Sequence, residues 1–570
     1  MTEETTPSST QSAPAMATEG RGRWIGLAML SVGVAMIIVD ATIVNVSVPS
    51  IIKDLDLDGT AAEWVNSAYV LAFAALLVTL GRIGDVSGRR RLYLAGLGVF
   101  IGASMLAGIA PTGELLILAR VLQGVGGAMI LPATQSILNT NFRGHDRAIA
   151  FAIWGSVIGG MAALGPLLGG WLTTNLSWRW AFFINLPIGL FAIAGTLIYI
   201  RESRDEHARH GFDLPGFLLI TSGLSAIVFA LIEGRTYGWI TPHDPFTVAG
   251  WTWPLESISI IPFMIAFGFI ALAVFARVEA GRDRAGKFFL FDVRLWRYPA
   301  FRFGNLAGSI VALGEFGLLF VLPLFLQAVL GLTAFETGAV FLALAVGAFF
   351  AAPMAGSLAP RIGPRRVVTT GMALEAIGIL VTTLLVSSDL DARLLLVPLF
   401  VYGVGVGFAT AQLTSIVLSD VPPQRSGLAS GTNSTVRQVG SALGVAILGT
   451  ILFTVLVNET TANLAEVPGL PPAAQAGIVK AIDASAGQAL TAIRLDPAND
   501  LVVAPIESAF VDATRAAGLV AFGFVVLGLV FSFLLPETRP DLVTDAEGES
   551  DSVGDGDDAA GDGSEAPVPA

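Results

Sequence analysis

Fourteen apolar runs, each long enough to cross a lipid bilayer, divide this chain and constrain its fold more than any other feature. They fall at 24–48, 64–81, 92–110, 114–134, 148–172, 180–200, 213–232, 257–276, 303–326, 337–356, 367–386, 394–417, 433–457 and 514–535. A hydrocarbon layer about 30 Å thick takes about 20 residues of helix, and backbone inside lipid must satisfy its own hydrogen bonds. The runs therefore predict an all-α polytopic membrane protein with 14 transmembrane helices. With 54% apolar and 14% charged residues, a water-soluble globule is excluded. Arg21 and Arg23 precede the first run, which holds Asp40 and is too long for a signal-peptide core, so it too is expected to stay in the membrane.

Orientation follows from the basic residues. With the N-terminus inside, 23 of 32 Lys and Arg fall in cytoplasmic segments and seven outside, the remaining two lying within or at the edge of spans. An even span count then puts both termini in the cytoplasm of a plasma-membrane protein. The net charge of −13 is mostly a tail property, because Glu537 to the end holds eleven acids and one base. That tail has little to bury and is expected to be disordered. Cysteine is absent, which removes disulfides and thiolate chemistry. No phosphate-binding loop occurs, and the YGVGVG stretch at 402–407 lies within a span, where it reads as a packing seam. His207 and His210 fall in a charged loop. No metal, cofactor or nucleic acid is expected.

The segment GRIGDVSGRRR at 81–91 is echoed by GSLAPRIGPRR at 356–366, each directly after a span. If each closes the second span of a bundle, the spans sort as six, two and six. The expected organisation is a disordered cytoplasmic N-terminus over 1–23, a six-helix bundle over 24–200, and two inserted helices with linkers over 201–302. A second six-helix bundle follows over 303–535, with a long external loop at 458–513 that reads as short amphipathic helices, and the acidic tail occupies 536–570.

Three motifs carry chemistry. Gly81, Asp85, Gly88, Arg89 and Arg90 form a glycine-punctuated turn at the cytoplasmic face that could hold an ion pair and a helix-end contact. Arg120, Gln123, Gly124 and Gly127 share one helix face, and a charge within a span costs at least about 2.5 kcal/mol unless it faces the bundle interior with a partner. Gly165, Pro166, Gly169 and Gly170 combine a kink with surfaces small enough for close helix contact.

At these residues the chain resembles the major facilitator superfamily. The loop is similar to its G-x-L-x-D-R-x-G-R-R/K signature, with Ile83 for leucine and Val86 where a base is typical. Arg120, Gln123 and Gly124 match its R-x-x-Q-G signature, whose arginine the resemblance implicates in proton transfer; a static ion pair between helices is the alternative. Gly165 to Gly170 resembles its antiporter signature G-x-x-x-G-P-x-x-G-G, with Met161 at the first glycine. VDATIVNVSVP at 39–49, WRWAFFINLPIG at 178–189, LPLFLQAVLG at 322–331 and SGLASGTNSTVRQVGSALGVAILGT at 426–450 resemble the fourteen-span drug:proton antiporter branch. The resemblance covers residues 24–535 and implies two six-helix major-facilitator bundles plus two inserted helices.

Asp40, Glu315 and Glu375 are carboxyls within apolar spans, where desolvation disfavours charge and a proton can be traded as access alternates. Asp40, Arg120 and Glu315 are the proton-coupling candidates, and Glu375 reads equally as structural or lipid-facing. Asn45, Gln123, Gln327 and Arg437 are the candidate cavity residues. The resulting expectation is a monomeric, non-enzymatic, proton-coupled exporter of amphipathic or cationic organic compounds, its partners being the small-molecule substrate, protons and the lipid bilayer. One endogenous metabolite, lipid or siderophore is the alternative cargo. A membrane enzyme or sensor would need a catalytic constellation or a soluble signalling domain, and neither is visible.

Overall fold

The structure is a computed structural model that describes residues 21–142, 144–204, 213–248, 251–255, 257–285, 289–421, 426–496 and 499–537. The side chain of Asp85, the His207 and His210 pair and the acidic tail from residue 538 lie outside the described residues. The first bundle comprises α1 (Arg21–Leu55), α2 (Gly59–Ser87), α3 (Arg89–Gly108), α4 (Gly113–Asn141), α5 (Gly144–Asn175), the short α6 (Trp180–Phe183) and α7 (Asn185–Tyr199). Then come α8 (Leu214–Tyr237), a two-stranded antiparallel hairpin of β1 (Thr247–Val248) and β2 (Trp251–Thr252), and α9 (Ile261–Arg284). The second bundle comprises α10 (Pro299–Ala328), α11 (Ala334–Ile362), α12 (Pro364–Leu385), α13 (Leu396–Ser419), α14 (Ser426–Ala465), the short α15 (Pro472–Ala484) and α16 (Ala489–Arg494), and α17 (Asp500–Ser532).

Among the described residues, 13 helical passages are long and apolar enough to cross a membrane, α6 and α7 counting as one; α5 is a further helix of 32 residues. In one bundle α4 packs on α2 and α3, and α1 on α5 and α7; in the other α13 packs on α11 and α12, and α10 on α14 and α17. The bundles meet where α5 lies on α11 and α2 on α14, while α8 leans on both α2 and α14 and carries α9 on its far side. Large apolar side chains such as Phe269 and Ile270 of α9 point outward, 63% and 62% exposed, as they must where lipid rather than water is the solvent.

The two ends of the molecule differ in charge. Arg89, Arg90, Arg91, Arg201, Arg361, Arg365 and Arg366 cluster at one, hereafter the Arg-rich end. Helix starts at the other end are fixed by local chemistry: Asp58 accepts from the Ala61 amide, and Thr333 and Glu336 form a reciprocal capping box at the start of α11. The stretch 458–513, expected as a long loop with short amphipathic helices, is largely helical. Helix α14 runs on to Ala465, α15 and α16 are the short amphipathic pieces, and α17 begins at Asp500.

Candidate functional site

Asp40 lies at the centre of a buried polar network inside the first bundle. Its Oδ2 receives Arg120 Nη1 at 2.5 Å, and its Oδ1 receives Gln123 Nε2 and Asn185 Nδ2, each at 2.8 Å. The arginine is held from every side: its Nε donates to the Val65 carbonyl at 3.1 Å, its Nη1 also donates to Gln123 Oε1 at 2.9 Å, and its guanidinium stands 4.2 Å from the centre of the Tyr69 ring. Ser104 closes the network, accepting from Gln123 at 2.7 Å and Asn185 at 3.0 Å. Asp40, Ser104, Arg120, Gln123 and Asn185 are each at most 1% exposed. Four passages supply them, α1, α3, α4 and α7, and α2 lends a carbonyl and a ring. Removing one partner of such a pair leaves a bare buried charge at a cost of about 3–5 kcal/mol. Sequence reading found Asp40, Arg120 and Gln123 but not Ser104 or Asn185, although Asn185 stands within the WRWAFFINLPIG stretch. It also gave Gln123 to the cavity, whereas the side chain is spent on the ion pair.

The loop at 81–91 is less a turn than a helix end, since α2 runs through Gly81 to Ser87 and only Gly88 breaks it. Gly88 has φ +122°, and a Cβ there would lie 2.7 Å from the Glu202 carboxyl carbon, so both backbone and space demand glycine. Glu202 bonds the amides of Arg90 at 3.0 Å and Arg91 at 3.1 Å, capping α3, while the Arg89 amide donates to the Ser203 carbonyl. Arg90 Nη2 donates to the Leu197 carbonyl at 3.0 Å. These contacts tie the loop to the end of the sixth passage of its own bundle. The echo at 356–366 is built alike: Gly363 has φ +89°, and Arg365 donates to the Phe533 carbonyl at 2.5 Å and to Glu537 at 3.4 Å, just past α17.

The glycines of α5 face two ways. A Cβ on Gly165 or Gly169 would strike Thr42 or Ile43 of α1, within the same bundle, whereas one on Gly170 would strike the Ala334 carbonyl of α11, in the other. Gly338 of α11 returns the contact against the Pro166 carbonyl. Close by, the Phe335 amide donates to Thr174 Oγ1 at 3.0 Å, and Gln327 Nε2 donates to the Val46 carbonyl at 3.0 Å. These cross-bundle contacts all lie toward the Arg-poor end. Gln327, expected in the cavity, is thus a tie between bundles, and Asn45 is half-buried beside Val46.

In the second bundle a small cleft lies in the half toward the Arg-rich end, lined by Asn305, Ser309, Glu315, Thr410, Asn433 and Arg437 among others. Glu315 and Arg437 face each other there at 3.9 Å. Glu375 is fully buried, and neither of its oxygens has a partner, so it does not point into lipid. Asp40 and Arg120 thus meet directly, while Glu315 pairs with a different arginine in the other bundle. No group of three or more metal-ligating side chains occurs among the described residues.

The sequence profile of the Major Facilitator Superfamily matches residues 30–445. Puromycin resistance protein pur8 of Streptomyces alboniger is 34% identical over 469 residues, covering 79% of this chain and 85% of its own. Multidrug resistance protein Stp of Mycobacterium tuberculosis is 31% identical, covering 76% of each chain. The tetracenomycin C resistance and export protein of Streptomyces glaucescens is 30% identical over 78% of this chain and 79% of its own. Among solved structures, a bacterial homolog of the human lysosomal transporter Spinster, inward-facing and unoccupied, superposes with a TM-score of 0.60 at 17% identity, over 92% of this chain and 99% of that one. The last likeness is one of fold.

Proposed function

The chain belongs to the major facilitator superfamily, a multi-pass membrane transporter rather than an enzyme, and on that premise we propose that it exports amphipathic or cationic organic compounds in exchange for protons. The bundles 24–200 and 303–535 rock about the seam that α5 and α11 share, and the Arg-rich end faces the cytoplasm with both termini, in the plasma membrane. The conformer at hand, joined toward its Arg-poor end, is then the one that receives cargo from inside.

The observation that carries this reading is the Asp40–Arg120 pair. Three side chains donate to the Asp40 carboxylate, so a proton arriving there would have to break the pair. A proton reaching Asp40 from outside frees Arg120 in a buried core, a perturbation of about 3–5 kcal/mol. The same proton brings about 2.3 kcal/mol per 100 mV of membrane potential. The two are of one size, which is what a coupled step requires. Glu315 lines the cleft and would attract cationic cargo, which then competes with Arg437 for it. Resistance and export names among the relatives support small organic cargo. Because two of them are named for a single compound, puromycin and tetracenomycin C, a dedicated natural-product exporter is the second reading.

The test uses inverted vesicles carrying a pH gradient and a panel of dyes and antibiotics. Asp40→Asn and Arg120→Ala should each abolish gradient-driven uptake while the protein remains in the membrane. Uptake at the parent rate in both variants would refute the coupling.

A further inference from the structure

Asp40 is not the only acid locked between helices, and another lies on the moving seam. Glu63, one turn into α2, is 0% exposed, and neither carboxyl oxygen has a hydrogen-bond partner. Across the seam stands Gly449 of α14, where a Cβ would sit 2.8 Å from the Glu63 carboxyl carbon; the glycine leaves just the space the acid fills. Helix α8 closes the third side: Trp64 Nε1 donates to Glu233 at 3.1 Å, Thr60 meets Thr236 at 3.4 Å, and Thr450 of α14 donates to the Leu231 carbonyl at 2.8 Å. Among the described residues, the charged groups around Glu63 are Asp58, which caps α2, and Glu233 and Arg235 on α8. Asp58 is occupied with the Ala61 amide, Glu233 with Trp64, and Arg235 with Asp483 of α15 at 2.5 Å, while α14 presents Gly449 and Thr450.

We propose that Glu63 is a proton-binding site on the seam between α2 and α14, which closes on the neutral acid and is held open by the carboxylate. An ionised carboxyl taken out of water with no donor costs several kcal/mol, and the neutral acid far less. Parting α2 from α14 restores water to it and removes that difference. Closure and proton binding are therefore linked in both directions, so acid on that face favours closure. The proton on Glu63 comes from the Arg-poor side and returns there, whereas the one on Asp40 crosses. Glu63 thus sets when the gate closes without adding to the protons moved per cargo. This deepens the proton-coupled reading above and rests on it for its role in the cycle, though not for the linkage itself.

The chain has no cysteine, so labels can be placed at will. Asn175→Cys and Asp389→Cys put spin labels at exposed positions at the Arg-poor end, one on each bundle. In the full chain in lipid, the separation between them should lengthen as the pH is raised from about 5 to about 9. Glu63→Gln should keep the short separation throughout, and Glu63→Leu should do the same if the amide perturbs folding. Glu63→Asp should keep a pH response. A Glu63→Gln chain that opens with pH as the parent does, or a parent separation that ignores pH, overturns the proposal. Repeating the titration with Asp40→Asn separates the two readings: loss of proton-driven uptake with the Glu63-dependent opening intact leaves the seam site standing on its own. If no proton-driven uptake occurs even in the parent, the exporter reading fails, and the separation measurement still decides the linkage.

Discussion

Three donors reach the carboxylate of Asp40 and none reaches that of Glu63, so two acids of the same bundle sit in opposite surroundings. The donor with the least obvious signal is Asn185. An asparagine in an apolar run is unremarkable by itself, and only the convergence of α1, α3, α4 and α7 gives it a role. Asn185→Ala removes one of two amide donors to a buried carboxylate, a loss of about 1–3 kcal/mol. It should lower the thermal unfolding midpoint of the purified protein and slow gradient-driven uptake; an unchanged midpoint would mean that the carboxylate draws on Arg120 and Gln123 alone. Arg120 and Asp40 were legible in the sequence because a charge inside lipid must find an opposite charge. Which acid Arg120 would choose was not, since Asp40 stands 80 residues away and Glu315 is an equal candidate by composition. Glu63 escaped notice because it sits just before the apolar run at 64–81, where an acid reads as a solvated helix end.

Helix α5 shows how one sequence signature divides into two jobs. Gly165 and Gly169 let α1 approach within a bundle, and Gly170 lets α11 approach across the seam. Gly165→Val should therefore overpack a permanent contact, costing about 1–3 kcal/mol and reducing the yield of folded protein. Gly170→Val should fold and be monodisperse, yet lose uptake, because the clash falls on a contact that forms only when the seam is closed. Size-exclusion profiles set beside vesicle flux distinguish the two, and equal loss of folded protein in both would show that the seam is as permanent as the bundle. The element boundaries were legible only where lipid sets them. Apolar runs mark the hydrocarbon layer, about 20 residues thick, but a helix continues while nothing breaks its hydrogen bonds. The 40 residues of α14 rise about 60 Å, so the helix outlasts its apolar stretch and ends only before Pro468. The echo of 81–91 in 356–366 was visible as spacing. Its physical content, a positive-φ glycine and an arginine-bearing start bound to an acid beyond the sixth passage, came from Glu202 and Glu537, which no local pattern links to either loop.

At the scale of the molecule, rocking requires that α8 follow one bundle and slide on the other, because it touches both. Two side-chain pairs fasten it to α2, Thr60 with Thr236 and Trp64 with Glu233, while on the other side Thr450 of α14 donates to the Leu231 carbonyl and Arg235 pairs with Asp483 of α15. Helix α8 is expected to travel with α2, the ties to α14 and α15 giving way. The absence of native cysteine makes this testable by cross-linking. A Thr60→Cys, Thr236→Cys chain should form a disulfide on oxidation and keep the uptake rate of its reduced form, because both residues stay on the same side of the moving seam. Ser47→Cys with Thr173→Cys, whose hydroxyls lie 2.9 Å apart between α1 and α5, should be equally silent as a clamp within one rigid bundle. If oxidation arrests the first pair but not the second, α8 moves against α2 during transport. The seam that holds Glu63 would then part on its α8 side as well as along α14.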